Sequence, residues 1–191
     1  MDKNQRAAAR KLKHDIGELV AIARHCFATG HLLPGLILLY STVDIVASLD
    51  RPESKEDVTR TDFVSWVDKY MRPTSTLRCN AINLYAARCG LLHTYAPGSK
   101  LSREGAAKEI YYAWGTGKVE TLEKLMKAQR WHIPACAIHV DTLLKVFEVG
   151  VQRFRRDIGT DTQKADRVYA RAAKFFGALS TDLASRALNS E

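Results

Sequence analysis

The sequence predicts a mainly α fold, a single domain of about six to seven helices carrying a small two-stranded β element. Three observations predict it. Apolar residues recur at three-to-four spacing through most of the chain, the period of a helix with one buried face. Two short stretches are instead dense in β-branched and aromatic residues. The composition, 46% hydrophobic and 26% charged with 11 glycines and five prolines, is that of a chain that closes a core. At 191 residues it is long enough for one sizeable core and short for two, so residues 1–191 are read as one domain.

Each element follows from local signals. From Lys3 to about Thr29, Leu12, Ile16, Leu19, Ala23 and Phe27 mark one helix face, and Gly30 ends it. Pro34 suits the first turn of a second helix running to about Leu49. That helix is apolar nearly all round and is expected to be enclosed by others. Arg51-Pro52 breaks it, and Glu53 to Arg60 reads as a surface loop. A short helix capped by Thr61 carries Phe63, Trp66, Val67 and Tyr70 until Pro73 stops it. Ser75 or Thr76 is the expected cap of the next helix, which passes Ile82, Tyr85, Ala86 and Cys89 to about His93 before the turn at Pro97-Gly98. Residues near 108–114 and 133–140 read as two paired strands, with the helical pattern Val119 to Arg130 between them. Asp141 is the expected cap of a helix through Leu144, Phe147, Val151 and Phe154. A last helix from Thr162 to about Leu188 turns Val168, Ala172, Phe175, Phe176 and Leu179 inward.

The net charge of +8, with an isoelectric point near 9.4, favours polyanionic partners such as RNA or an acidic protein. Arg6, Arg10 and Lys13, and again Arg167, Arg171 and Lys174, fall at i, i+4, i+7 and form stripes along helices. Arg153, Arg155 and Arg156 add a cluster, and these nine cations are the candidate RNA-binding residues. A charge stripe taken singly is most often a solvated face. The four cysteines show no close pairing and no charged-then-apolar leader opens the chain, so reduced thiols in a cytoplasm are expected. The run Leu32 to Leu49 is interrupted by Pro34, Gly35, Ser41, Thr42, Asp44 and Ser48, which argues for a buried helix over a membrane span. No glycine-rich phosphate loop, paired metal-ligand cysteines or nucleophile elbow is present. His132, Cys136 and His139 have superficial metal spacing, but on a strand His139 faces away from the other two, so neither a metal nor another cofactor is expected. His25-Cys26 reads as partly buried packing. Trp66, Trp114, Trp131, Tyr111 and Tyr112 read first as core, with base stacking as the second use.

One string stands apart. Arg88-Cys-Gly-Leu-Leu-His93-Thr-Tyr95 places a fixed cation, an imidazole and a phenol within eight residues. Arg88-x4-His93-x-Tyr95 resembles the motif of the HEPN superfamily, helical domains found in many prokaryotic toxin and RNA-cleaving defence systems. The match covers these eight residues closely and the fold loosely, and Cys89 stands where active members often carry a polar residue. The resemblance implies a HEPN-like helical bundle that forms a homodimer with two motifs facing each other, and cleavage of RNA without a metal. Its toxin members paired with a nucleotidyltransferase antitoxin mark an antitoxin protein as a candidate partner and Tyr95 as a candidate acceptor of modification.

The residues support that chemistry from below. In RNA cleavage the neighbouring 2′-hydroxyl is the nucleophile, so a site needs a proton acceptor or donor and a cation for the extra charge of the phosphorane. His93 and Arg88 fit those roles, and Tyr95 could bond a phosphate oxygen. Asp44 is the one charged residue between Leu32 and Leu49, and is the natural partner for Arg88. That pairing is ordinary as a structural ion pair; as a means of orienting Arg88 or His93 it would be functional. A purely structural role for the motif predicts both side chains buried in protein contacts. Geometry poses a problem, because five residues along an unbroken helix advance about 500° and leave Arg88 and His93 roughly 140° apart. Either Gly90 and the helix end distort the backbone, or the working pair comes from two chains.

Overall fold

The computed structural model describes residues 3–74, 76–129 and 134–174. It is mainly helical, with eight α-helices and one small parallel sheet among those residues. The helices are α1 (Lys3–Ala28), α2 (Leu32–Asp50), α3 (Arg60–Trp66), α4 (Ala81–Thr94), α5 (Lys100–Arg103), α6 (Val119–Ala128), α7 (Val140–Thr160) and α8 (Thr162–Ala172). The strands are β1 (Glu109–Ala113) and β2 (Ala135–His139).

The apolar α2 is the central element, packed against α1, α3, α4, α7 and α8. Among the described residues it is the one helix long and apolar enough to cross a membrane, and half of that stretch is buried within the protein as core. Gly35 lets α1 approach it: a Cβ there would stand 2.5 Å from the Phe27 ring. A second layer of core is aromatic. Trp66 lies 5.3 Å from Tyr70, 6.0 Å from Phe147 and 6.1 Å from Phe154, centroid to centroid, all four rings being almost fully buried. Aromatic pairs at these tilted and edge-on geometries stabilise by about 0.5–1.5 kcal/mol beyond the area they bury.

The two expected strands form and pair, from Glu109 opposite Ala135 to Ala113 opposite His139. They run parallel because α6 carries the chain back between them, the crossover that a parallel pair requires. The pair is tied into the bundle by Tyr40 and Tyr112, whose hydroxyls meet at 2.7 Å, and by buried Asn83, which accepts the Lys108 N–H at 2.9 Å. Burial pushes both tyrosine hydroxyls above the ordinary phenol range.

Several boundaries differ from the expected ones. α3 starts two residues earlier, because Asp62 accepts the Thr59 N–H at 2.8 Å and its hydroxyl at 2.7 Å; Thr59, not Thr61, is the cap. Beyond Trp66 the helix widens into a π turn over Val67–Met71 and then tightens into a 3-10 turn over Arg72–Thr74. α4 is capped by Asn80, whose Oδ1 accepts the Asn83 N–H at 2.9 Å, so Thr76 lies in the connecting segment and Ser75 outside the described residues. α7 is capped by His139, whose Nδ1 accepts the Asp141 N–H at 3.2 Å. The strand β2 therefore runs straight into a helix. α5, a single turn with a Ser99/Ser102 capping pair, has no counterpart in the sequence reading. The expected continuation of the last helix through Phe175, Phe176 and Leu179 to Leu188 lies outside the described residues, as do Arg130, Trp131 and His132.

Candidate functional site

α4 carries Arg88 across from Asp44 of α2, and the two helices are joined there by Arg88 Nε donating to Asp44 Oδ2 at 2.7 Å. Both side chains are 23% exposed, so the pair sits at the edge of the core and not within it. Burial raises the Asp44 carboxyl above its ordinary range despite the opposing pull of Arg88 and His93. For Arg88 burial works against the charge, but the hydrogen bond and attraction of Asp44 prevail and push it upward. Burial thus opposes the charge on both partners, and the hydrogen bond between them favours it.

Arg88 Nη1 also reaches His93 Nε2, at 3.4 Å, within one chain. The helix is unbroken to Thr94, so neither a backbone distortion nor a second copy is needed to bring the pair together. The reach of the guanidinium spans the angle around the axis. A guanidinium only donates, so this contact uses the unprotonated Nε2 of the imidazole. His93 is exposed, unlike the buried pair that a purely structural role predicts.

Gly90 and Tyr95 shape the end of this helix. A Cβ at Gly90 would lie 2.5 Å from the Ala96 carbonyl oxygen and 2.8 Å from that of Gly98, so the loop folds back against bare backbone. Tyr95 takes left-handed dihedrals, φ 52° and ψ 28°, and its N–H donates to Leu91 at 3.3 Å while that of Ala96 donates to Gly90 at 3.4 Å. Tyr95 is 70% exposed. The site also contains two groups that the motif did not announce. The Cys89 thiol sits beside the Tyr85 hydroxyl and the Arg88 guanidinium, and burial followed by this thiol raises the tyrosine. The signal was present in the spacing: Tyr85, Arg88, Cys89 and Leu92 fall at i, i+3, i+4, i+7 and share one helix face.

The candidate RNA-binding cations divide. Arg6, Arg10, Lys13, Arg155, Arg156 and Lys174 are exposed. Arg171 is instead turned inward, donating to the carbonyls of Leu49 at 3.0 Å, Pro52 at 2.9 Å and Arg51, where it closes the end of α2. Those carbonyls lack helical partners, which explains the capture of a cation. Arg153 donates to the Tyr70 carbonyl at 3.0 Å, and Arg167 is half-buried. Of the metal-like trio, Cys136 is buried against the Glu109 carbonyl, and His139 uses Nδ1 on Asp141 and Nε2 on the Gly115 carbonyl at 3.2 Å. Cys26 is half-buried, whereas His25 is exposed. Trp66 is core; Trp114 is half exposed.

A second polar cluster has no counterpart in the sequence reading. Lys164, almost fully buried, pairs with Asp50 at 2.6 Å and Asp157 at 3.5 Å, and Tyr70 donates to Asp157 at 2.8 Å. Lys69 closes the group on Asp157 at 2.7 Å. Its hydrogen bond is the first cause holding the Asp157 carboxyl below the usual range.

No family model, curated protein or solved structure matches this chain.

Proposed function

We propose that this chain is a HEPN-like, metal-independent endoribonuclease of the toxin or defence kind, with Arg88 and His93 as its catalytic residues. The observation that carries the reading is the meeting of the Arg88 guanidinium with the exposed His93 imidazole at 3.4 Å, with Asp44 anchoring the arginine from behind.

As a phosphate draws Arg88 Nη1 away from His93, the Nε2 lone pair it had occupied is freed and takes the proton of a ribose 2′-hydroxyl, and the oxygen attacks the adjacent phosphorus. The phosphorane gains negative charge, which Arg88 meets, and the 5′-oxygen leaves as an alcohol once protonated, with a cyclic phosphate on the other fragment. Asp44 is a positioning residue here: it spends its carboxylate on Nε and leaves the outer face of the guanidinium turned toward His93. Two copies facing each other would supply a second imidazole to protonate the leaving oxygen, which makes a homodimer the expected working form, with RNA as substrate and an antitoxin protein as the partner that restrains it. The exposed Tyr95 is the residue this reading assigns to bond a phosphate oxygen or to accept a modification.

The test is cleavage of a mixed RNA pool in chelator by the wild type and by Arg88→Ala and His93→Ala proteins verified as folded, with sedimentation giving the oligomeric state of each. Cleavage by the wild type and a loss of roughly 100-fold or more in each variant is the expected result. RNA bound but uncut by the wild type over a wide range of enzyme would replace this reading with that of a non-catalytic RNA-binding module.

A further inference from the structure

Away from the Arg88 site, α1, α7 and α8 enclose a cleft of about 730 Å³ that shares no lining residue with it. Its floor is aliphatic: Leu12, Ile16 and Val20 come from α1 at successive helical turns, and Val151 and Ile158 from α7 two turns apart. Tyr169 of α8 closes one side. The rim is cationic from both walls, with Arg10 and Lys13 on α1 and Arg155 and Arg156 on α7. Other surface cations are matched, Lys11 by Asp15 and Arg78 by Glu120 and Glu123. The four rim side chains have no hydrogen-bond or ion-pair partner among the described residues. The lining acid, Glu148, is already neutralised by Arg24.

Gly17 adds an independent observation. It lies in the middle of α1, exposed on the cleft wall, where glycine costs about 1 kcal/mol relative to alanine. No described residue lies within 4 Å of the position its Cβ would take, so packing among the described residues does not require the glycine. The bare backbone leaves room for a close approach from outside.

We infer that this cleft is a docking groove for an amphipathic helix of a protein partner, one whose apolar stripe is flanked by aspartate and glutamate. Two helices with ridges at turn spacing form a groove that an apolar stripe at i, i+3, i+4, i+7 fills, and cations on both rims set the sign of the flanking charges. RNA fits less well. Its phosphates would use the rim but leave the aliphatic floor uncovered, and base stacking needs exposed aromatic platforms, whereas of the two lining rings Phe154 is almost fully buried and Tyr169 stands on one side.

The experiment uses the full chain and a fluorescent, end-blocked model peptide of about 18 residues, with leucines along one face and glutamates beside them. The control peptide carries lysines in place of the glutamates, and a single-stranded RNA of about a dozen nucleotides is titrated in parallel. Binding of the acidic peptide at least about tenfold tighter than the lysine control is expected, with a further tenfold loss in Gly17→Leu and in the double variant Arg155→Glu/Arg156→Glu. Gly17→Leu favours the helix and fills open space, so its fold, checked by circular dichroism, is retained. Arg88→Ala should bind the peptide as the wild type does, which separates this groove from the nuclease reading. No acidic preference, or full binding by Gly17→Leu, would overturn the inference. So would tight RNA binding that is lost in the Arg155→Glu/Arg156→Glu protein while the peptide is ignored, which would give the groove to RNA.

Discussion

At the scale of single residues, the motif is a set of side chains with different tolerances. Arg88 binds Asp44 through Nε and His93 through Nη1, a two-sided use that a lysine ammonium cannot reproduce. Arg88→Lys should therefore keep the ion pair and fold yet lose roughly 100-fold in RNA cleavage, and wild-type rates in that variant would remove the guanidinium from the mechanism. Tyr95 offers an opposite case. Its left-handed backbone costs a non-glycine residue on the order of 1 kcal/mol, and its exposed ring recovers little by packing. Tyr95→Gly is expected to raise stability by about 0.5–1 kcal/mol in urea denaturation. If the same variant loses cleavage, the strain is kept for the phenol; if cleavage is unchanged, the phenol has no part in it.

At the scale of elements, what could be read from the sequence depended on how local the deciding forces were. The central α2 and the pairing of two short strands were legible because their signals are compositional: an apolar helix with polar interruptions, and β-branched runs flanking a helical crossover. Helix starts were less legible. Thr59 won the cap over the expected Thr61 by two hydrogen bonds with Asp62, and Asn80 and His139 won it over Thr76 or Ser75 and over Asp141 by one each, a contest among neighbouring cap residues that propensity does not decide. The buried cluster of Lys164 was invisible for the opposite reason, since it joins residues from α2, the π turn, α7 and α8. Its lysine is nearly sealed from water while its carboxylates reach solvent, so Lys164→Ala should cost roughly 2–3 kcal/mol, below the full penalty of breaking a sealed pair. Lys164→Met, which restores the apolar stem beside Phe154, should recover part of that loss in thermal denaturation.

For the whole molecule, the titrating groups act in opposite pH windows. Asp157, held down first by Lys69, and Asp62, where burial is outweighed by the Thr59 hydrogen bonds and Lys55, both have folded values below the unfolded carboxyl near 3.9. Such groups contribute stability above that value and lose it as pH falls through the lower folded one, because the unfolded chain takes up protons first. Asp44 is raised by burial, so the folded chain binds its proton more tightly. Its contribution is present below the unfolded value and is lost as pH rises through the folded one. The expected profile falls as pH drops below the unfolded carboxyl value and declines as pH rises through the folded value of Asp44, with different residues responsible for each limb. Urea midpoints measured across this range should show a flatter acid limb in Asp157→Asn and a flatter upper limb in Asp44→Asn. The second variant also links stability to function, since asparagine keeps an acceptor for Arg88 Nε but removes the charge that burial disfavours. A protein that is as stable as the wild type or more so at neutral pH, and yet cleaves RNA more slowly, would mean that the buried carboxylate is retained to aim Arg88 at its substrate. Equal cleavage with equal stability would reduce Asp44 to a replaceable tie between α2 and α4.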